Sequence, residues 1–318
     1  MVKYLHYKDM EGNDKYCHAG AALSGLVPDI PAPLPYVALV CEQRADDVLH
    51  VTDLNNSARY NKLMKETDFI VDLDSSFYRV MGVASHSALE KRGGVHSEFK
   101  LEMVVDKTRI TGTADLVVEG QGGVVIIDYK ILGSYSVTKL FGMYQTDEVI
   151  LEPDGTPAVY KSGEKKGQRK TRKVWLRDES KRDIKNYLRQ LNIYGLMYKD
   201  MTGIDVVGLK LFVGVRDGGT EAARSRGIMR NTYLIELPVG PEEKVLAFIR
   251  DRIAQNSLPL EACPICTEEE SWGGNRCKGY CPVALECARR FNDNPWLGQA
   301  DLERLMKEEA AAKASSEL

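Results

Sequence analysis

Asp115, Asp128 and Lys130 are the residues whose types and spacing could do chemistry. They lie in RITGTADLVVEGQGGVVIIDYKIL, Arg109 to Leu132, where two apolar, β-branched runs flank a Gly-rich turn and read as a hairpin. Side chains alternate along a strand, so Asp128 and Lys130 leave one face while Ile127, Tyr129 and Ile131 leave the other. Asp115, on the preceding run, is expected beside Asp128 across the hairpin. Two carboxylates brought that close repel unless a cation sits between them, and such oxygen ligands suit Mg²⁺ or Mn²⁺. A lysine beside the ion orients or helps deprotonate a water, or stabilises charge developing on a phosphate. The pattern points to metal-assisted hydrolysis. It is also the pattern of a turn-capping Asp115 and an Asp128–Lys130 pair on a solvated sheet face.

The elements that must position these residues are legible on either side. VTDLNNSARYNKLMKE predicts a helix to about Lys65 with Asp53 or Asn55 as N-cap, and SSFYRVMGVASHSALEKRGG predicts a second, stopped by Gly93-Gly94. VHSEFKLEMVV alternates as a strand, with Val95, Phe99, Leu101 and Met103 on one side and His96, Glu98, Lys100 and Glu102 on the other. DIKNYLRQLNIYGLMYKD reads as an amphipathic helix, DVVGLKLFVGVRD and RNTYLIELPV as strands, and PEEKVLAFIRDRIAQNS as a helix. Residues 1–45 read as an irregular N-terminal arm with an extended Pro-rich piece, VPDIPAPLPY. The C-terminus, 293–318, reads as a fraying helical tail.

Taken together the motifs resemble the PD-(D/E)xK nuclease superfamily, in its RecB-like exonuclease branch. The carriers appear in order: His86 in GVASHSALE, Glu98 in SEF, Asp115 in GTAD, Asp128 and Lys130 in DYK, and Gln190 with Tyr194 in QLNIY. The resemblance covers about half the chain. It implies an α/β, restriction-endonuclease-like core over 46–258, a central mixed β-sheet flanked by helices. It implies that His86, Asp115, Asp128 and the backbone carbonyl of Tyr129 hold Mg²⁺ or Mn²⁺. Lys130 would be the catalytic lysine, Glu98 would hold a water of the metal shell or assist the lysine, and Gln190 and Tyr194 would position the lysine or the DNA backbone. Read without the resemblance, His86 could be a packed helix residue pairing with Glu90, and Gln190–Tyr194 an ordinary i, i+4 pair.

Seven cysteines are present, and five fall in ACPICTEEESWGGNRCKGYCPVALECARR. Four thiolates gathered this closely suit tetrahedral Zn²⁺ or a [4Fe-4S] cluster. Some RecB-like nucleases carry the cluster on one cysteine before the core and three after it, and CKGYCPVALEC resembles that trio. No cysteine stands at the early position; Cys17 and Cys41, further upstream, are the alternatives to Cys266, which lies in the same local loop as the trio. Cys266, Cys277, Cys281 and Cys287 are therefore the expected set, with iron–sulfur preferred to zinc and Cys263 spare; Cys263, Cys266, Cys277 and Cys281 form the alternative zinc-ribbon set. The module over 259–292 is expected to be structural, clamping the C-terminal segment to the core.

With 318 residues, 43% hydrophobic and a formal charge of -3, the chain can bury a core and does not announce a nucleic-acid binder overall. A basic surface must be local, and Lys161–Lys185 supplies it, with 11 Lys or Arg against 4 Asp or Glu. Lys165, Lys166, Arg169, Lys170, Arg172 and Lys173 are the expected DNA contacts, and Trp175 and Tyr187 could stack on unpaired bases. There is no membrane-length apolar run, no signal-peptide pattern and no Walker A motif, so the chain reads as cytoplasmic and without its own helicase. The expected activity is a metal-dependent DNA exonuclease of recombination, repair or phage DNA metabolism. A single-strand annealing protein is a conceivable partner. A flap or branched-DNA endonuclease and an idle DNA-binding module are the alternatives.

Overall fold

The three-stranded sheet at the N-terminus replaces the expected irregular arm. A computed structural model describes residues 1–42, 48–92 and 97–315. β1 (Val2–Lys8) alternates so that Leu5 and Tyr7 point into a core while His6 points out, and it pairs antiparallel with β2 (Asp14–His18). α1 (Ala19–Leu23) and α2 (Leu34–Cys41) follow. The Pro-rich piece thus gives way to helix at Leu34, because Pro35 sits in the first turn, where a missing N–H costs nothing. Leu5, Tyr7, Cys17, Val37, Val40 and Leu73 form one buried cluster.

β3 (Leu49–His50), α3 (Val51–Leu54) and α4 (Ala58–Glu66) come next. The predicted helix is divided in two, and Ser57 caps the longer part by accepting from Tyr60 N–H. β4 (Phe69–Asp72) then lies parallel to β1, with Leu5 against Val71 and His6 against Asp72. α5 (Leu73–Glu90) starts where the Asp72 carboxylate accepts from Ser75 N–H at 2.6 Å. The predicted stop at Gly93-Gly94, the first strand residues Val95 and His96, and the arm boundary at residue 45 lie outside the described residues.

β5 (Ser97–Val105), the strand that the alternation predicts, pairs antiparallel with β6 (Thr108–Gly120), burying Leu101, Met103 and Ile110 on one face. β7 (Gly123–Leu132), α6 (Ser134–Leu140), β8 (Met143–Val149) and β9 (Thr171–Arg177) follow. After them come α7 (Lys185–Thr202), β10 (Val206–Val215), α8 (Glu221–Ser225), β11 (Thr232–Leu237) and α9 (Glu242–Ser257). The main sheet is mixed. Its strands run β11-β10-β7-β6-β3 with β5 also on β6; β5 is antiparallel and β3 parallel to β6. The chain is thus α/β, a mixed sheet flanked by helices.

Two compact units share the chain, and the expected 46–258 core is divided between them. The first comprises Met1–Ile126, Arg189–Leu209 and Pro238–Leu318; the second comprises Ile127–Leu188 and Lys210–Leu237. In the first unit, α10 (Asn275–Gly279) and α11 (Ala284–Phe291) carry three of the clustered cysteines or flank them, and α12 (Gln299–Ala314) closes the described chain. The expected fraying tail is a packed helix as far as Ala314. It lies against β1 and β2, Ala312 is buried, and Arg289 holds Glu309 through two hydrogen bonds. Among the described residues no helix is long and apolar enough to cross a membrane.

Candidate metal centre and cysteine cluster

In the first unit, α5 presents His86, β5 presents Glu98 and β6 presents Asp115. Their ligand atoms all lie within 4.8 Å of one another. His86 Nδ1 is 3.2 Å from Asp115 Oδ1. Asp115 is buried, and the other two are half-buried. Burial first, and the Asp115 carboxylate second, push the Glu98 carboxyl above its usual range, while Lys100 and His86 act in the opposite sense.

Glu98 is also held at φ +50, in the left-handed region. For a residue with a Cβ that conformation costs about 1–2 kcal/mol, and such strain concentrates where side chains must be aimed. One imidazole nitrogen and two crowded carboxylates form a donor set that a divalent cation would relieve. The residues fit the ion that the sequence implies, and among the described residues they alone bring three such ligand atoms together.

In the second unit, Asp128 is 2% exposed on β7. Lys130 Nζ stands 2.6 Å from its Oδ2, as the two-residue spacing on one strand face requires. Tyr129 leaves the other face and its ring packs edge-on against Phe212. Burial, with the Asp128 and Asp183 charges adding, pushes the Tyr187 hydroxyl up to about 12. Tyr187 is half-buried and lies near enough to Asp128 to feel its charge.

Gln190 and Tyr194 meet on α7, where Gln190 Nε2 donates to the Tyr194 hydroxyl at 2.9 Å. The Tyr194 ring lies so close to β6 that a Cβ on Gly112 would come within 2.8 Å of it. Glycine at 112 lets the helix carrying this pair approach the strand carrying Asp115.

Cys266, Cys277, Cys281 and Cys287 gather in the first unit. Burial raises the Cys277 thiol to about 11 and the Cys281 thiol to about 12, and raises Cys287; the Cys266 sulfur adds to each rise. Buried thiols that mutually disfavour ionisation suit a cationic centre. Cys263 stands apart. Its sulfur faces the Pro259 carbonyl at 3.4 Å, and burial is the main cause of its raised pKa.

Residues of α4 reach this module. Ser57 Oγ is 3.0 Å from Cys266 Sγ, and the buried Arg59 donates to the Cys263 carbonyl and to Asp293. Arg252 meets Glu270 at 2.5 Å, both buried, and ties the module to α9. Sequence reasoning missed Ser57, Arg59 and Arg252. An arginine whose partners lie about two hundred positions away leaves no local signal.

The basic segment is a β-arm. β8 and β9 pair antiparallel, and bridges from Leu151 to Pro157 and from Val159 to Arg169 extend the arm toward its tip. Arg172 meets Glu148 at 2.6 Å and Lys173 meets Asp147 at 2.9 Å, in exposed pairs across the strands. Trp175 is half-buried opposite Gln145. Lys165, Lys166, Arg169 and Lys170 lie in the outer part of the arm, where Lys165 and Lys170 flank the Tyr160 ring.

No family model matches the chain, and no curated protein matches it. A solved structure of SSO0001 aligns over 80% of this chain and 93% of its own, at 15% identity and a TM-score of 0.39, a likeness too slight to carry an argument.

Proposed function

We propose that the chain is a metal-dependent deoxyribonuclease, an exonuclease that hydrolyses phosphodiester bonds at DNA ends. The observation that carries this reading is the convergence of His86, Glu98 and Asp115 within 4.8 Å. Mg²⁺ or Mn²⁺ bound there would supply Lewis-acid polarisation of a phosphate and a water of lowered pKa. The motif order adds Asp128 and the Tyr129 carbonyl as further ligands and assigns the catalytic amine to Lys130. Buried Asp128 stands 2.6 Å from that ammonium and orients it. Gln190 and Tyr194 are positioning residues in this reading, and Lys165, Lys166, Arg169 and Lys170 track the DNA backbone.

The cysteine cluster is read as a [4Fe-4S] site with a structural role. A cytoplasmic setting, with DNA as partner, accompanies this reading.

The test compares linear with closed circular DNA, using Mn²⁺, Mg²⁺ or EDTA, for wild type and Lys130→Ala. Metal-dependent loss of linear DNA in wild type alone supports the exonuclease. Cutting of closed circles replaces it with an endonuclease, and no turnover on any DNA removes the catalytic reading.

A further inference from the structure

α5 shows an apolar face to solvent. Its packed side carries Leu73 and half-buried Val80, which join the cluster of Leu5, Val37 and Val40. Away from such a core a surface helix is expected to be polar. Here Phe77, Met81, Ala84 and Ala88 are all exposed, Phe77 by 50% and Met81 by 37%. Their spacing of four, three and four residues stacks them in one stripe, the seam pattern of a two-helix coiled coil. His86 follows Phe77 by nine residues, which at about 100° per residue puts the candidate metal ligand on the opposite side of the helix.

The two ends of the stripe differ. Bulk lies toward the N-terminus, in Phe77 and Met81, while the small Ala84 and Ala88 lie toward the C-terminus. Charge follows the same polarity. Exposed Asp74 stands in the first turn, and exposed Lys91 and Arg92 stand at the C-cap and just past it. Reversed on a second copy, the stripe is therefore its own complement. With a two-fold axis between Gly82 and Val83, Phe77 falls opposite Ala88 and Met81 opposite Ala84, large on small. In the same register Asp74 falls opposite Lys91 and Arg92, and the two helix dipoles oppose each other favourably.

We propose that α5 is a homodimer interface, in which two copies of this chain pair their α5 helices antiparallel about a two-fold axis. A two-fold contact needs a patch that complements itself under that rotation. A partner of other sequence places no such demand, so the matched reversal of both size and charge favours a second copy. The pairing is independent of the nuclease reading. It leaves His86 of each copy turned away from the seam, beside its own Glu98 and Asp115. One 18-residue helix presents fewer than the about 20–30 residues a side of a standard interface, so a weak dimer is expected, with Kd of about 1–100 µM.

The test is sedimentation velocity of the full chain over about 1–300 µM, a range that brackets that affinity. Wild type is expected to pass from monomer to dimer and no further. Met81→Glu places a charge in the seam and should weaken association at least tenfold. Asp74→Lys in one variant, and Lys91→Asp with Arg92→Asp in another, set like charges opposite one another and should each weaken it about tenfold. Mixed in equal amounts, these two variants should recover the wild-type affinity to within about threefold, because opposite charges then face at both ends of the seam. Melting curves confirm that the variants fold.

A wild type that stays monomeric to about 300 µM, a Met81→Glu variant that associates as wild type does, or assembly beyond the dimer overturns the proposal. So does failure of the mixed charge variants to associate, since only the antiparallel two-fold register brings their charges into opposition.

Discussion

Glu98 and Asp115 bring carboxylate oxygens within 4.8 Å of each other, although the Glu98 backbone, between the pairs Ser97 with Leu116 and Phe99 with Ala114, is turned into the left-handed region. His86 from α5 completes the trio. Burial first, and the Asp115 charge second, raise the Glu98 carboxyl. Because a ligand carboxylate must lose its proton, metal affinity should fall as pH drops through the raised Glu98 value. Titration calorimetry with Mn²⁺ should show Glu98→Gln binding at least tenfold more weakly than wild type, about 1.4 kcal/mol, with a flatter pH dependence near that value. Equal affinity would remove Glu98 from the centre.

The N-terminal sheet carries its own pH dependence. His6 Nδ1 lies 2.5 Å from Asp72 Oδ2, and Nε2 lies 3.0 Å from Asp14 Oδ1. The hydrogen bond to Asp72 raises His6 above 6.5, and the bond from His6 lowers Asp72 to about 2. The His6 contribution is complete below its unfolded value near 6.5 and is lost as pH rises through the higher folded value. The Asp72 contribution is present above 3.8 and is lost as pH falls toward 2. Stabilisation by the pair is therefore greatest between about pH 4 and 6.5. His6→Ala should lower stability by about 1–3 kcal/mol in that window and by less at pH 9. A penalty that is the same at pH 5 and pH 9 would exclude an ionic contribution.

Arg59 is buried with its guanidinium on Asp293 and on the Cys263 carbonyl. Arg59→Ala leaves both acceptors behind and should cost about 3–5 kcal/mol in chemical denaturation. A loss within about 0.5 kcal/mol, the range of ordinary surface changes, would show that the contact between α4 and the cysteine module is dispensable.

The cysteines should separate into two classes. Cys281→Ser is expected to lower bound metal and melting temperature, since its buried thiol lies near enough to Cys266 and Cys277 to feel both. Cys263→Ser should leave metal content unchanged, because its sulfur faces only backbone carbonyls. Elemental analysis of protein purified without oxygen checks both. Equal metal loss in the two variants would return Cys263 to the ligand set.

The ribbon, α5 and α7 were legible because their signals are local: alternation along 97–105 and 109–117, and periodicity along 184–198. The N-terminal sheet was hidden for the opposite reason. β1 takes its parallel partner from β4, more than sixty residues on, and neither strand has a hairpin turn to announce that pairing. The same holds for charge. Arg172 and Lys173 count as basic in a sequence window, and only the structure shows Glu148 and Asp147 of β8 facing them. The left-handed Glu98 was unreadable because the usual marks of that conformation, glycine or asparagine, are absent.

The most direct test of the central claim is release of acid-soluble nucleotides from linear DNA by wild type and Asp115→Asn, with Mn²⁺ and with EDTA. The account predicts release by wild type in Mn²⁺, none in EDTA, and a loss of at least a hundredfold in the variant, about 2.7 kcal/mol. Release that persists in Asp115→Asn, or that needs no divalent ion, would contradict it.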